Sequence, residues 1–282
     1  MTPTEDSTQK RFEAENLIRQ FAPAGLQEQL IALIRPAIAL TATPIDDAKI
    51  PIGASKFGGS PDVPEGFEWP TWNDKPLGFL VQINLKEVTP FDVENLLPKS
   101  GILWFFTSLD ENNLVVGQPE QFGGWRVLFG HEPFHRVATP TNSHWITPIL
   151  TQQVKFGAGW SLPADSFDSF ESSDWDDEEW EQWEDFQMQV SEIFPHRMLA
   201  TPYAPQLSPL VIAANGSQGK SGYDLYDDTV STGEWELLLQ LDTGKDEFFV
   251  GPNDLGWHYF MVNREDLKKA DFSRVWFNEQ GT

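Results

Sequence analysis

The sequence of 282 residues predicts an α+β fold with mostly antiparallel sheets. The prediction includes an internal duplication into two related β-rich units, N-terminal helices and one acidic helix. Three observations support this class: segments with strand character outnumber segments with helical spacing, the strands are not regularly separated by helices, and one strand pattern occurs twice. The second observation argues against a doubly wound parallel sheet, in which strands and helices alternate.

The first 45 residues predict two helices and a strand. Residues 12–21 indicate the first helix. Apolar residues at positions i, i+4, i+7 and i+8 indicate the second, namely Leu26, Leu30, Leu33 and Ile34. Pro36 disfavours the α conformation at Arg35 and therefore ends this helix. Residues 38–43 read as strand, and we expect residues 1–45 to pack on a main body formed by 46–282.

A segment rich in glycine and proline follows at 51–76 and predicts a long loop, because both residue types interrupt helices and strands. Its four large aromatic residues indicate packing against the protein, since disordered linkers are poor in them. After this loop, strands are predicted at 77–85, 101–107, 125–130, 134–138 and 145–156. The last third of the chain predicts strands at 234–242, 256–262 and 274–278 and a short helix at 264–270.

The acidic helix is predicted from about residue 174 onward. Between Asp165 and Asp185 the chain has 11 acidic residues and no basic one. Apolar residues near helical spacing are expected to face the core, namely Trp180, Trp183, Phe186, Val190, Ile193 and Phe194. The carboxylates either form a solvated helix face or surround tryptophans that dock onto a basic partner. In the second case the predicted partner-binding residues are Trp175, Asp176, Asp177, Glu178, Glu179 and Trp180.

The duplication is predicted from FLVQINL at 79–85 and LLLQLDT at 237–243, which place a polar pair in the same register. Strand alternation puts Phe79 and Val81 on one face and the polar pair on the other. The repeats are predicted to span about 51–110 and about 196–278.

The polar pairs of the two repeats have two interpretations. They form either a solvated or hydrogen-bonded outer face, or a groove between the repeats that binds a small molecule. The residues of the hypothetical ligand groove are Lys56, Gln82, Asn84, Gln240 and Asp242.

The chain shows no complete catalytic motif. It has no cysteine, which excludes disulfides, thiolate nucleophiles and iron–sulfur clusters. His131 and His135 are four residues apart, but Pro133 lies between them, so a helical zinc pair is not predicted. The sequence therefore predicts no metal and no cofactor, and it favours a non-catalytic protein.

Several segments together resemble a known family. They are KFGGSPDVP at 56–64, PLGFLVQINL at 76–85, LPKSGILWFF at 97–106, HRMLATPYAPQ at 196–206 and WELLLQLDT at 235–243. In this order they are similar to the bacterial YwqG-like proteins, a family of unknown function, over about residues 51–278. The resemblance implies a duplicated α+β fold and a link to bacterial toxin and immunity loci. Ala200 and Thr201 depart from it, because a glycine and an aromatic residue are expected there.

The charge of the chain limits its partners. Asp and Glu number 43 against 19 Lys and Arg, a net charge of −24, which disfavours nucleic acid and anionic membranes as partners. No apolar run reaches the roughly 18 residues of a membrane span, and we expect a cytoplasmic protein. A basic protein partner fits the acidity, and adaptation to salt fits it equally. The sequence thus predicts a non-catalytic interaction module that binds a basic protein partner, for which the resemblance implies an immunity-like role. The alternative is a small-molecule-binding protein or an enzyme using the groove.

Overall fold

A computed structural model describes residues 3–110, 114–140, 149–162, 175–193, 195–244 and 256–281 of the chain. The helices are α1 (Pro3–Phe21), α2 (Gln27–Ala32), α3 (Leu85–Val88), α4 (Asp177–Ile193), α5 (Pro209–Gly216) and α6 (Arg264–Lys268). The strands are β1 (Arg35–Pro44), β2 (Lys56–Phe57), β3 (Asp62–Pro64), β4 (Thr71–Trp72), β5 (Lys75–Pro76), β6 (Gly78–Asn84), β7 (Ile102–Thr107), β8 (Trp125–Gly130), β9 (Phe134–Arg136), β10 (Gln152–Ser161), β11 (His196–Met198), β12 (Trp235–Asp242), β13 (Gly256–Asn263) and β14 (Trp276–Gly281).

Ten of these strands form one antiparallel sheet in the order β14-β13-β12-β11-β1-β10-β2-β6-β7-β8. The long strands β1 and β10 lie at its centre and pair along their whole length, from Arg35 opposite Ser161 to Pro44 opposite Gln152. Four strands follow on each side of this central pair. The mixed α+β class with antiparallel strands is therefore confirmed.

The large sheet curls until it is nearly barrel-shaped. Phe105 of β7 and Phe260 of β13 meet edge to face with their ring centres 5.0 Å apart, although six strands separate β7 from β13 in the sheet. At the two ends of the sheet, Trp125 of β8 donates its indole N–H to the carbonyl oxygen of Val275, 2.8 Å away, just before β14. The two halves of the sheet thus share one apolar interior.

A second apolar cluster lies where α1, α2 and α4 pack together with the end of β10. Its buried side chains are Ala14, Ile18, Ala22, Leu30, Ile34, Trp160, Leu162, Trp183, Phe186 and Val190. The helix predicted to include Leu33 and Ile34 ends earlier, since α2 ends at Ala32, and β1 begins at Arg35. Helix α1 contacts β10 and α4, and the strand β1 that follows the first two helices lies at the centre of the sheet.

The prediction of strict alternation along β6 is wrong at one point. A β-bulge interrupts the register between Phe79 and Val81. An extra residue in one strand turns the following side chains to the other face. Phe79 therefore packs in an outer cluster with Trp104 and Phe106, whereas Val81 faces the shared interior. A similar irregularity interrupts β12 between Leu237 and Leu239.

The segment 51–76 also needs a correction, because it contains four strands, β2 to β5, where the sequence predicted a loop. Each is only two or three residues long, too short for an alternating pattern to be visible. The aromatic residues of this segment do pack against the protein: Phe57 in the interior and Phe67, Trp69 and Trp72 against the outer cluster. The strand predicted at 145–156 begins at Gln152 in the structure, and residues 141–148 lie outside the described residues.

Candidate functional site

The acidic helix α4 forms as predicted, and two of its predicted partner-binding carboxylates stabilise its start. Oδ1 of Asp176 accepts hydrogen bonds from the backbone N–H groups of Glu178 and Glu179, both at 3.0 Å. In return, Oε2 of Glu179 accepts the backbone N–H of Asp176 at 3.2 Å. This reciprocal arrangement is a capping box, which satisfies backbone donors that a helix start leaves free.

The tryptophans of α4 belong mainly to the scaffold. Trp183 is fully buried, and Trp175 and Trp180 are half-buried against the cluster formed with α1. The ring of Trp175 meets the rings of Trp180 and Trp183 at centroid distances of 5.1 Å and 5.9 Å. These contacts hold the start of the helix against the protein. Residue Phe194 and the side chain of Ile193 lie outside what the structure describes.

The opposite face of α4 is acidic and exposed. Asp177, Glu181, Glu184 and Asp185 follow one another at helical spacing on the side away from Trp183, and Glu178 lies beside them. All five side chains are exposed, and none has an ion-pair partner within the described part of the chain. Together these residues form an acidic stripe, which consists of Asp177, Glu178, Glu181, Glu184 and Asp185.

The first half of the sheet contains a buried ionic cluster around Lys56. Nζ of Lys56 lies 2.8 Å from Oδ1 of Asp47 and 3.9 Å from Oδ2 of Asp62, and it also donates to the carbonyl oxygen of Ser60. Burial lowers the pKa of Lys56, and the two carboxylates partly offset this effect. Lys56 is therefore held by the protein's own acceptors.

Asp62 is the centre of this cluster. Its carboxylate accepts hydrogen bonds from Nε of Arg136 at 2.8 Å, from the backbone N–H of Gly53 at 2.9 Å and from Nε2 of Gln82 at 3.0 Å. Burial by itself raises the pKa of Asp62, but the hydrogen bond from Arg136 and those from Gly53 and Gln82 outweigh it and leave the pKa below its ordinary value. The carboxylate is therefore held in its charged form.

Gln82 and Asn84 are both engaged by the protein. Gln82 is fully buried, its Oε1 accepts the backbone N–H of Asp62 at 2.7 Å, and its Nε2 also donates to Ala54 O at 2.7 Å. Asn84 is half-buried, caps α3 through the N–H of Lys86 and donates Nδ2 to Gly53 O at 2.8 Å. In the first half, the polar pair thus forms a hydrogen-bonded and not a solvated face.

The second half has a comparable arrangement around Arg197, which lies opposite Gln240 between β11 and β12. Burial lowers the pKa of Arg197 to about 10. Oε1 of Gln240 accepts the backbone N–H of Tyr203 at 3.0 Å, and the hydroxyl of Tyr259 donates to Tyr203 O at 2.7 Å. Nε2 of Gln240 is buried and has no hydrogen-bond partner among the described residues.

Asp242, the last of the predicted groove residues, is buried near the end of β12. Its Oδ1 accepts the N–H of Gly244 at 2.9 Å, and its backbone N–H donates to Nδ1 of His196 at 3.2 Å. The ring of His196 meets the ring of Phe57 at 5.1 Å. One aromatic contact therefore joins the strand of Lys56 to the strand of Arg197.

The two polar clusters correspond in detail. In the first, Lys56 lies opposite Gln82, and the indole N–H of Trp104 donates to Asp62 O at 3.0 Å. In the second, Arg197, Gln240, Tyr259 and Tyr203 take the same four positions. In both clusters the cation is six positions before the residue whose backbone N–H binds the glutamine, namely Asp62 in the first and Tyr203 in the second. This common spacing is the signal in the sequence that points to Arg197 and Tyr203, which the prediction of the groove did not include.

In the described ranges, no cluster of three or more His, Cys, Asp or Glu side chains is placed to hold a metal ion. Within the same ranges, the helices are too short or too polar to cross a lipid bilayer.

The fold and its two buried polar clusters define an α+β protein built on a single curled antiparallel sheet. The chain belongs to the family described as a domain of unknown function, DUF1963, whose model matches residues 55–280. The match begins one residue before β2 and extends into β14, so it includes both halves of the sheet. No curated protein matches the chain.

Proposed function

We propose that this DUF1963 protein is a non-catalytic interaction protein that binds a basic protein partner through α4. The acidic stripe carries this proposal. Exposed carboxylates on α1 and α2 have cations of the same chain beside them, as in the pairs of Arg11 with Glu15 and of Arg19 with Glu28. The acidic stripe has no such cation among the described residues, so its charge is open to a partner.

The geometry of the stripe fits a protein surface. Its carboxylates lie along one face of a helix of 17 residues, and the exposed side chain of Met188 continues that face by one further turn. Met188 adds apolar area, while the like charges attract a basic surface and increase the rate of encounter. An immunity-like role, in which the partner is a basic toxic enzyme, is one form of this proposal. We also propose that the protein belongs to the YwqG-like group.

The acidic stripe can be tested without disturbing the helix cap. We expect a variant with Asp177→Asn, Glu178→Gln, Glu181→Gln, Glu184→Gln and Asp185→Asn to lose most of its capture of a basic protein from native lysate. Asp176 and Glu179 stay unchanged, because they form the capping box. Capture is measured by mass spectrometry at low and at moderate salt, and binding should weaken with salt.

A matched control separates the stripe from total charge. It neutralises five exposed carboxylates elsewhere, Glu65, Glu68, Asp74, Glu120 and Asp228. It changes the net charge by the same amount and should retain the partner. Equal loss in both variants, or unchanged capture by the stripe variant at low salt, would refute this assignment.

We also infer that the two halves of the sheet arose by internal duplication. Three shared features support this inference. In both halves the cation is six positions before the residue whose backbone N–H binds the glutamine, a glutamine lies opposite the cation, and an aromatic side chain donates a hydrogen bond to that same residue's carbonyl oxygen. The backbone agrees, since Gly58 and Leu199 follow the cation by two positions and both have positive φ, 54° and 47°. Leucine rarely adopts this conformation, and its presence there is explained if the turn was inherited from a glycine-containing ancestor.

A small-molecule site in the second half is the alternative function, and one observation favours it. The buried Nε2 of Gln240 lacks a hydrogen-bond partner in the described chain, which is unusual for a buried donor. A small molecule whose hydrogen-bond acceptor pairs with Nε2 of Gln240 would raise the melting temperature of the wild type in a metabolite thermal-shift screen. Gln240→Met should lose that shift, and a screen in which wild type and variant respond alike would exclude this site.

A further inference from the structure

A cavity of about 550 Å³ lies where the two ends of the curled sheet meet. Its volume is within the range of about 300–1,000 Å³ that is usual for small-molecule sites. The lining combines aromatic and polar side chains from both halves of the protein: Phe122, Trp235, Trp276, Ser217, Asn263, Asp266 and Arg274 are among them. None of these residues belongs to the two buried polar clusters or to the acidic stripe.

One wall of the cavity is aromatic. Phe122, which precedes β8, stacks on Trp276 of β14 with a centroid distance of 5.8 Å and an interplanar angle of 30°. The ring of Phe122 also meets Trp125 edge to face, and the guanidinium carbon of Arg126 lies over the ring, 5.7 Å from its centre. Three neighbours thus fix a ring that is 44% exposed. A rigid exposed ring offers a platform for a ligand without losing much entropy on binding.

The end of α5 completes this wall. A Cβ atom at Gly216 would lie 2.3 Å from the ring of Trp276, so only glycine allows the helix to approach the indole this closely. The polar residue Ser217 follows immediately and is exposed at the rim of the cavity. The sequence therefore places an apolar ring surface and a polar rim side by side.

The other wall is polar and electrically balanced. Asp266 is buried and pairs with the guanidinium group of Arg274. Oδ1 of Asn263 caps α6 by accepting the N–H of Glu265 at 3.0 Å, while its Nδ2 has no partner in the described part of the chain. The wall thus offers donors and acceptors without net charge. An ionic ligand would have to compete with an existing ion pair.

We propose that this cavity binds a neutral saccharide. Sugar hydroxyls both donate and accept hydrogen bonds, which matches the mixture offered by Asn263, Asp266 and Arg274. The C–H face of a pyranose ring is apolar and matches the exposed face of Phe122. This inference is independent of the proposed role of α4, because the two sites share no residue.

The stacked pair argues against a nucleobase inserted between two rings. Inserting a planar ring requires a separation of roughly 7 Å, twice the ordinary distance between carbon atoms in contact. The rings of Phe122 and Trp276 are already stacked at 5.8 Å. A ligand therefore lies on the part of the Phe122 ring that Trp276 and Arg126 leave exposed, which suits a sugar ring whose edge reaches the polar wall.

Saturation-transfer difference NMR on the 282-residue protein tests this proposal. The probes are glucose, galactose, mannose, N-acetylglucosamine, maltose and cellobiose, with adenosine as the comparison. We expect at least one saccharide to receive saturation on its ring C–H protons. Phe122→Ala should weaken its binding by about tenfold, the usual value of one aromatic contact.

Two further variants make the result specific. Asn263→Asp retains the oxygen that caps α6 but removes the amide donor, so it should weaken the saccharide while leaving the melting temperature unchanged. Tyr223→Ala removes a 97% exposed ring outside the cavity and should bind like the wild type. The proposal would be overturned if no saccharide received saturation, or if adenosine alone did. It would also be overturned if Phe122→Ala and Asn263→Asp bound the saccharide as well as the wild type does.

Discussion

Replacing Asp62 with alanine is expected to lower the free energy of unfolding by about 3–5 kcal/mol, the usual cost of removing one partner from a buried ion pair. The substitution leaves Lys56 with a single carboxylate, removes one of the acceptors of Arg136 and of Gln82, and removes the acceptor of the N–H of Gly53. The cost arises from buried donors that lose their acceptor without gaining water.

Urea unfolding followed by tryptophan fluorescence measures this effect. Glu65→Ala is the matched control, because it removes an exposed carboxylate near Asp62 and should change stability by less than about 0.5 kcal/mol. If Asp62→Ala does not fold, Asp62→Asn provides the same test with a neutral group of equal size. A loss no larger than that of the control would show that the cluster around Lys56 contributes little to stability.

The difference in unfolding free energy between the wild type and Asp62→Asn should depend on pH in a definite direction. The pKa of Asp62 is lower in the folded protein than its ordinary value. The stability contributed by this carboxylate is therefore fully present above its unfolded pKa of about 3.9 and is lost as the pH falls through the folded pKa. The stability difference between wild type and Asp62→Asn should stay constant near neutral pH and shrink below about pH 4. A difference that grows with acidity would contradict this assignment.

Secondary structure was predictable wherever apolar periodicity was long enough. The helix containing Leu30, the acidic helix and the long strands from β6 to β14 follow from such patterns. Helix α5 does not, because PLVIAANG is apolar on all sides and nearly all of its residues are buried. A helix without a polar face has no amphipathic signal. The strands β2 to β5 are likewise too short to show one.

The curl of the sheet is the main feature that local patterns could not predict. The meeting of Phe105 with Phe260, and of Trp125 with Val275, depends on strand order across the whole chain. Strand alternation gives the face of a residue but not which distant strand that face meets. The cavity lined by Phe122 and Trp276 could not be predicted from the sequence for the same reason, since these two residues are far apart along the chain.

The predicted polar residues were partly informative. Gln82 and Gln240 do occupy corresponding positions opposite Lys56 and Arg197. Their alternation could not show that a different segment covers each glutamine, with the backbone N–H of Asp62 donating to Gln82 and that of Tyr203 donating to Gln240. In the acidic helix, charge alone could not separate Asp176, which caps the helix, from Asp177, which is exposed without a described partner.

Truncation of Phe260 to alanine is expected to cost about 3–5 kcal/mol of unfolding free energy, as is truncation of Phe105. Both rings are fully buried and lie on opposite halves of the curled sheet, 5.0 Å apart. Each substitution leaves a cavity in the shared interior and removes one edge-to-face contact. Phe12→Ala is the control, because that ring is 58% exposed and its loss should cost less than about 0.5 kcal/mol.

The double variant tests the curl itself. If the two rings pack against each other, Phe105→Ala and Phe260→Ala together should cost less than the sum of the single changes, with a coupling of about 0.5–1.5 kcal/mol. Residues in contact share this coupling, whereas residues on separated faces do not. Strict additivity in urea unfolding would mean that β7 and β13 do not face each other. The shared interior, and with it the cavity formed where the sheet ends meet, would then have to be abandoned.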